Sequence, residues 1–417
     1  MRGRGRVKRG LRVTAAVAGA VVLVLVMTPM VLVPAASPRG LVAGLLEAGV
    51  PSFYAIPSST PAAPPGTLVR AQELLSAPAG SRAWRVLYHS SDLGGHDTVL
   101  SGVVVAPSSP APAAGRVVVG WGHPTTGAVA GCAPSNGIDP FLVVEGLPAL
   151  LAAGYVVVAP DYPGLGVAAP SSYLIGTSEA RSLLDAVRVA RQLPTAATTT
   201  TVLRGHSPGG HAVLFAARQG GEYAPELSLR AAAVAAPAAD LRTLPDDDIG
   251  DVSGVTIGSY AFAAYQQAYA SRYPGLELTS ILTDAGANVT PTMASLCLFG
   301  DNLKLHALAR PLIGRYLRSD PRSTPPWSML LAENTPGAPP SGLPVYVAQG
   351  DADTLVVPAA TQAYVAAACR GGAESPFAST QLTRTSPSLT PPCPMSSPSS
   401  ARAWPALRRP QAADGSA

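Results

Sequence analysis

The stretch TVLRGHSPGGHAVLFAAR, residues 201–218, decides how this chain is read. An apolar run ends at Gly205, a serine follows at 207 between Gly205 and Gly209, and an amphipathic helical pattern begins directly after it. Small residues on both sides of Ser207 permit the strained strand-to-helix turn of a G-x-S-x-G elbow, which presents a serine hydroxyl for attack. The five-letter pattern alone is common, and its weight here comes from the strand before it and the helix after it. The other reading, an ordinary turn serine, explains neither flank. Pro208 raises a difficulty, because proline brings no backbone N–H to a developing oxyanion.

Outward from the elbow, the chain alternates. LSGVVVAP (100–107), RVVVGWG (116–122), GYVVVAPDY (154–162), TTVLRG (200–205), LRAAAVAAP (229–237) and LPVYVAQGD (343–351) are short apolar runs ended by Gly or Pro, the pattern of central parallel strands. Helical patterns lie between them, notably SEARSLLDAVRVARQL (178–193) with Ser178 as its N-cap. Strand–helix alternation predicts a doubly wound α/β body over about 50–370, with seven or so mostly parallel strands. The alternation breaks over about 240–327, where SYAFAAYQQAYASRY and GDNLKLHALARPLIGRYL read as helices without strands between them. Such an insertion forms a cap over the carboxyl ends of the strands, where α/β sheets bind ligands. IPSSTPAAPPG (56–66) reads as a surface arm. From Gly371 to Ala417 the chain is rich in Ser, Pro and Thr and shows no period, the composition of a disordered tail.

Hydrophobic residues make up 47% of the 417 and charged residues 13%, so a large core can form. Six basic residues between Arg2 and Arg12 account for the net charge of +4; without them it becomes −2, which excludes a nucleic-acid partner. They open a leader, residues 1–36, whose apolar run VTAAVAGAVVLVLVMTPMVLV (13–33) ends at small residues that allow cleavage after Ala35. The run is also long enough to remain as an uncleaved membrane anchor. Either reading puts the body outside the cytoplasm: secreted, or anchored and facing outward. Cys132, Cys297, Cys369 and Cys393 suit an oxidising compartment, and no Cys/His spacing supports a metal site.

A serine nucleophile needs a carboxylate, a base and an oxyanion hole. Asp353, in VAQGDADTLVVP, follows the last apolar strand and fits the chain order Ser, Asp, His; Asp351 is its competitor, and both could simply bond the turn. The base is missing. His89, His96, His123, His206, His211 and His306 all precede Asp353. His211 packs one helical turn beyond Ser207, His206 occupies the variable elbow position, and His306 falls in the cap, in a chain order foreign to this arrangement.

The segments FYAIP, PGTLVRAQELL, SGVVVAP, WGHPTTGAVAGCAPS, GYVVVAPDYPGLG, SYLIGTSEARSLLDAVRVAR, GHSPGGHA and QGDADTLVVP, in this order over about 52–369, resemble the secretory lipase family, the lipase A type of α/β-hydrolase. The resemblance implies an α/β-hydrolase fold with a helical cap and secreted triacylglycerol lipase or carboxylesterase activity without a cofactor. Its partners would be a lipid or small ester substrate, with membrane contact only through an uncleaved leader or the lipid interface. It implies Ser207 as nucleophile and Asp353 as triad carboxylate. The loop His123–Gly127 with Thr125, next to Pro208, would line the oxyanion hole. Cys132 would pair with Cys297, and Cys369 with a cysteine near the C-terminus, Cys393.

Three departures bear on activity. Pro208 and Pro124 each remove an N–H where the family has one, and no histidine follows Asp353. Read two bases later with GC-rich codons, residues 377–392 can encode Arg-Gln-Tyr-Pro-Ala-Asp-Pro-His-Val-Ala-Val-Ala-Asp-Ala-Ala: a strand end, a loop histidine and a helix start. That histidine falls at about Arg384 or Thr385, so residues 371–417 read as a frame-shifted tail. The expectation is an ester hydrolase impaired by its missing base. The rival readings are a non-catalytic binding protein on the same fold, and a serine peptidase or acyltransferase.

Overall fold

Valine and alanine runs build the sheet because residues of alternate parity are buried on opposite faces. A computed structural model describes residues 38–242, 250–370, 378–382 and 387–390; the leader and Cys393 lie outside them. The first half contains α1 (Pro38–Glu47), α2 (Pro51–Tyr54), β1 (Leu68–Leu74), β2 (Ser81–Ser91), β3 (Asp97–Pro107), β4 (Arg116–Gly122), α3 (Leu147–Ala152) and β5 (Val156–Pro160). Next come α4 (Gly176–Ala190), β6 (Ala197–His206), α5 (Pro208–Tyr223) and β7 (Ser228–Ala235). The helices α6 (Val252–Ala268), α7 (Asp284–Ala294), α8 (Leu298–Ala309) and α9 (Trp327–Glu333) precede β8 (Val345–Gln349), α10 (Pro358–Arg370), β9 (Ala378–Leu382) and β10 (Pro387–Thr390).

The strands form one sheet in the order β1-β2-β3-β5-β4-β6-β7-β8-β9-β10. From β5 to β9 every neighbouring pair is parallel. β1, β2 and β3 add an antiparallel edge, and β10 closes the other edge antiparallel to β9. Val104, Val118, Val156 and Val158 face one core with α4, α5 and α10. Val103, Val105, Val119 and Val157 face the other, with α3. This is the α/β-hydrolase architecture.

Several expectations need correction. β3 pairs antiparallel with both neighbours. It is buried on both faces, so its apolar run carries no mark of direction. β2 has no counterpart among the expected strands, because Arg85 and His89 break its apolar pattern; Arg85 is fully buried, donating to the Ser135 and Glu47 carbonyls. β9 and β10 lie in the segment expected to be structureless: β9 forms by main-chain pairing with β8, which needs no side-chain period. Ser178 does not cap α4, which starts two residues earlier. The amide of Gly176 donates instead to Asn334 Oδ1, reaching across from the end of α9.

The helices between β7 and β8 carry their own apolar core around Tyr260, Tyr265, Tyr316, Trp327 and Leu330. They run to Glu333, somewhat beyond the boundary expected at 327. Two buried ties fasten this cap to the sheet. One is the disulfide Cys132–Cys297, with Cα atoms 5.2 Å apart across 165 residues of chain. Gly127 (φ 145°) passes so close that an added Cβ would stand 2.4 Å from the Cys132 sulfur. The other is His211, wholly buried on α5. Its Nε2–H donates to the Asn334 carbonyl at 2.7 Å, and its Nδ1 shares a 2.9 Å hydrogen bond with Glu179 Oε2 on α4. Burial pushes the Glu179 carboxyl upward, while His211 and the Leu174 amide draw it down.

Replacing Cys132 and Cys297 together by Ala should lower the unfolding free energy by about 3–5 kcal/mol, because the closed loop is long. His211→Ala leaves Glu179 buried without its partner and should cost about 3–5 kcal/mol. Guanidinium unfolding of each variant beside the parent measures both.

Candidate active site

Ser207 stands at the junction of β6 and α5 with φ 57° and ψ −122°, a strained conformation for a residue with a side chain. It persists because its neighbours hold it on three sides. The Ser207 amide donates to the Ala235 carbonyl at the end of β7, and its carbonyl accepts from the amides of Ala238 and His211. The turn also presses directly on β4: an added Cβ on Gly209 would lie 2.0 Å from the Gly122 carbonyl oxygen and 2.7 Å from that of His123. The elbow therefore exists as expected, at the carboxyl edge of the parallel strands.

Pro208 is the first residue of α5, where a fixed φ and a missing N–H are tolerated. The helix still brings its positive end and the first-turn amides of Gly209 and Gly210, which lie too early in α5 to find a carbonyl four residues back within the helix. Opposite stands the loop after β4. His123 is buried and stacked on Tyr162, with ring centroids 4.4 Å apart. Its Nδ1–H donates to the Pro124 carbonyl at 2.7 Å, which leaves Nε2 as an acceptor with no partner among the described residues. Thr125 Oγ1 bonds Tyr173 Oη at 2.6 Å, and the Thr126 hydroxyl is buried, again with no partner among the described residues. These residues, with Leu165, Ser171 and Pro208, line a pocket with room for about one water molecule.

Asp353 lies in the turn after β8. Its Oδ1 accepts from the amides of Leu355 and Val356 at 2.9 and 3.0 Å, and Oδ2 accepts from Gln349 Nε2 at 3.2 Å. Asp351, two residues earlier, is exposed and makes no such bonds among the described residues. β6 and β8 flank β7, with Ala235 paired to both His206 and Ala348. Two strand spacings, about 10 Å, thus separate the elbow from the Asp353 turn, a gap that one side chain between them could span.

No histidine among the described residues fills that gap. His206, one residue before the elbow, bonds Glu145 Oε1 at 2.6 Å. That bond, with the charges of Glu145 and Asp353, raises its pKa. His211 is committed to Glu179 and Asn334, His89 to Asp97 and His96 to Asp92. His306 lies partly exposed on α8, and its side chain makes no hydrogen bond among the described residues. The residues that sequence reasoning missed are Tyr162, Tyr173 and the Glu179–Asn334 brace. Only Glu179 had a visible signal, an acid in an otherwise buried helical stripe.

Burial lowers His123 to about 4, against the small opposing effect of its bond to Pro124. The unfolded chain takes up a proton on this residue near pH 6.5, and the folded chain does so only near pH 4. Stability from this group is therefore complete above pH 6.5 and lost as pH falls between the two values. Relative to a His123→Gln variant, the parent should lose about 2–3 kcal/mol between pH 7 and pH 4, read from urea unfolding at a series of pH values.

Comparison with known proteins agrees with this geometry. A family model described as "Secretory lipase" matches residues 137–386, about three fifths of the chain, and so runs past Gly371. Lipase 10 of Candida albicans is 27% identical over 208 residues, covering 44% of this chain and 42% of that protein. A Mycobacterium tuberculosis protein named probable inactive lipase is 27% identical over 206 residues, 45% of each chain. The matched segments thus span less than half the length of these curated relatives. The rice cell wall degrading esterase LipA of Xanthomonas oryzae superposes with a TM-score of 0.64 at 25% identity, covering 78% of this chain and 92% of that one. Candida antarctica lipase A in its closed state gives 0.62 at 19% identity, covering 83% and 81%. With elbow, loop and cap arranged as described, the chain belongs to the secretory lipase family.

Proposed function

We propose that this chain is a secreted ester hydrolase of lipase or carboxylesterase type in which Ser207 is the nucleophile and Asp353 the triad carboxylate, working at a greatly reduced rate. The observation that carries the reading is the elbow. Ser207 is held in a strained conformation at the carboxyl edge of the sheet, its hydroxyl bonded to nothing among the described residues, two strands from a carboxylate pre-set by two amides. Strain of this kind is kept where the exposed hydroxyl is used.

The reduced rate follows from two absences of chemistry. Without a base, the Ser207 proton has no acceptor as the hydroxyl attacks an ester carbonyl. With Pro208 and Pro124 flanking the hole, one or two oxyanion donors are lost, each worth about 10²–10³ in rate. β9 runs parallel to β8, so the chain leaves it at the edge that carries Ser207 and Asp353. The residues that follow include Arg384 and Thr385, where the shifted reading frame puts a histidine. The direction of β9 favours the frame-shift account of the missing residue.

The substrate class is a lipid or short-chain ester, a reading supported by the uncharged lining that His123, Tyr162, Tyr173 and Leu165 give the small pocket beside Pro208. The binding-protein reading draws on the same prolines and on the relative named probable inactive lipase. In hydrolysis of p-nitrophenyl esters, the chain as written should be about 10⁴–10⁶ slower than one rebuilt in the shifted frame from residue 377. Pro208→Ala in the rebuilt chain should add up to about 10²-fold. A fluorophosphonate should label Ser207 in the rebuilt chain and leave the chain as written unlabelled. Ordinary turnover by the chain as written, with its DNA confirmed across codons 369–390, would sink the proposal. Silence of both chains would favour the binding protein, and cleavage of peptides in preference to esters would favour the peptidase.

A further inference from the structure

The helix α1 is inside out. Gly44 and Glu47 face the body: an added Cβ on Gly44 would lie 1.9 Å from the Ile138 carbonyl oxygen, and the buried Glu47 carboxylate accepts from the amides of Leu75 and Ser76 at 2.5 and 3.1 Å. Val42, Leu45 and Leu46, on the opposite side of the helix, are 61, 62 and 77% exposed. A surface helix ordinarily buries its apolar stripe and shows its acids to water. Leu75, 80% exposed beside Glu47, and Ile138, 46% exposed beside Gly44, flank the helix, and Leu142 follows four residues after Ile138. Six of the ten large hydrophobic side chains exposed among the described residues thus fall in this one region, which single scattered leucines would not produce.

The occupant is indicated by what precedes the helix. The apolar run 13–33 ends only four residues before Pro38, and four residues reach at most about 15 Å. If that run stays in a bilayer, α1 emerges at the membrane surface with its apolar side free. A helix lying in the interface buries such a side among the acyl chains and headgroups. If the leader is removed, the stripe remains at the new N-terminus as a surface contact. We infer that α1, with Leu75 and Ile138, is a lipid-docking face through which the body rests on a bilayer, separate from the cleft at Ser207. This inference does not depend on the catalytic reading.

The test is a Leu46→Trp substitution in the full chain, as processed by its host, combined with phosphatidylcholine vesicles. The difference between variant and parent emission isolates the introduced indole from the four native tryptophans. The expected result is a blue shift with vesicles and strong quenching by brominated acyl chains, both abolished when Leu45→Asp is added. Emission that stays solvent-like and unquenched by bromolipid would overturn the inference. So would a blue shift that appears without vesicles and tracks a dimer in sedimentation, because a second copy would then cover the face. If the Leu45→Asp protein fails to fold, Leu75→Asp, set in a turn, replaces it: quenching reduced severalfold supports the docking face, and quenching unchanged counts against it.

Discussion

Two carbonyl groups at the centre of the sheet, those of Gly122 and His123, press against the backbone of Gly209 on the neighbouring turn. This contact tolerates no side chain at 209, and the rest of the site is arranged around it. It sets the entry of α5, holds Ser207 in its positive-φ conformation and fixes where the loop after β4 leaves the sheet. Proline at 208 satisfies the same backbone demand as any residue fit for a first helical turn. It fails only the chemical demand for a donor. Fold and catalysis thus ask different things of one position, and this chain meets the first.

The apolar core of the cap packs on Ala128 and on Tyr173, Leu174 and Ile175 of the body, and polar and covalent links add to that packing. The Cys132–Cys297 disulfide, beside Gly127, and the Leu298 amide donating to Thr126 tie the cap to the loop that faces Ser207, while the His211–Asn334 and Gly176–Asn334 bonds tie its far end to α5 and α4. A shift of the cap would therefore move the oxyanion loop as well.

The elbow and the strands around it were legible because their determinants are local: small residues at a turn, and apolar runs of the right length. Asp353 was named ahead of Asp351 from its place after the last apolar run, and the tertiary structure adds that its Oδ1 holds two amides. β2 was hidden by Arg85, a charge that the chain buries against carbonyls far away in sequence. β9 was hidden because main-chain pairing leaves no signature in side chains. The inverted polarity of α1 was equally unreadable, since its apolar spacing is that of any buried helix until Glu47 is seen to point inward.

By itself, then, the sequence determined the α/β alternation, the nucleophile elbow, the serine-to-aspartate order and the lack of a later histidine. Each of these depends on residue type within a few neighbours or on order along the chain. Tertiary structure decided the antiparallel edge, the buried Glu179–His211–Asn334 brace and the neutral, half-bonded state of His123. It also decided which face of α1 meets water. These depend on the desolvation and hydrogen bonding of groups far apart in the chain, and such energies exist only once folding has brought the groups together.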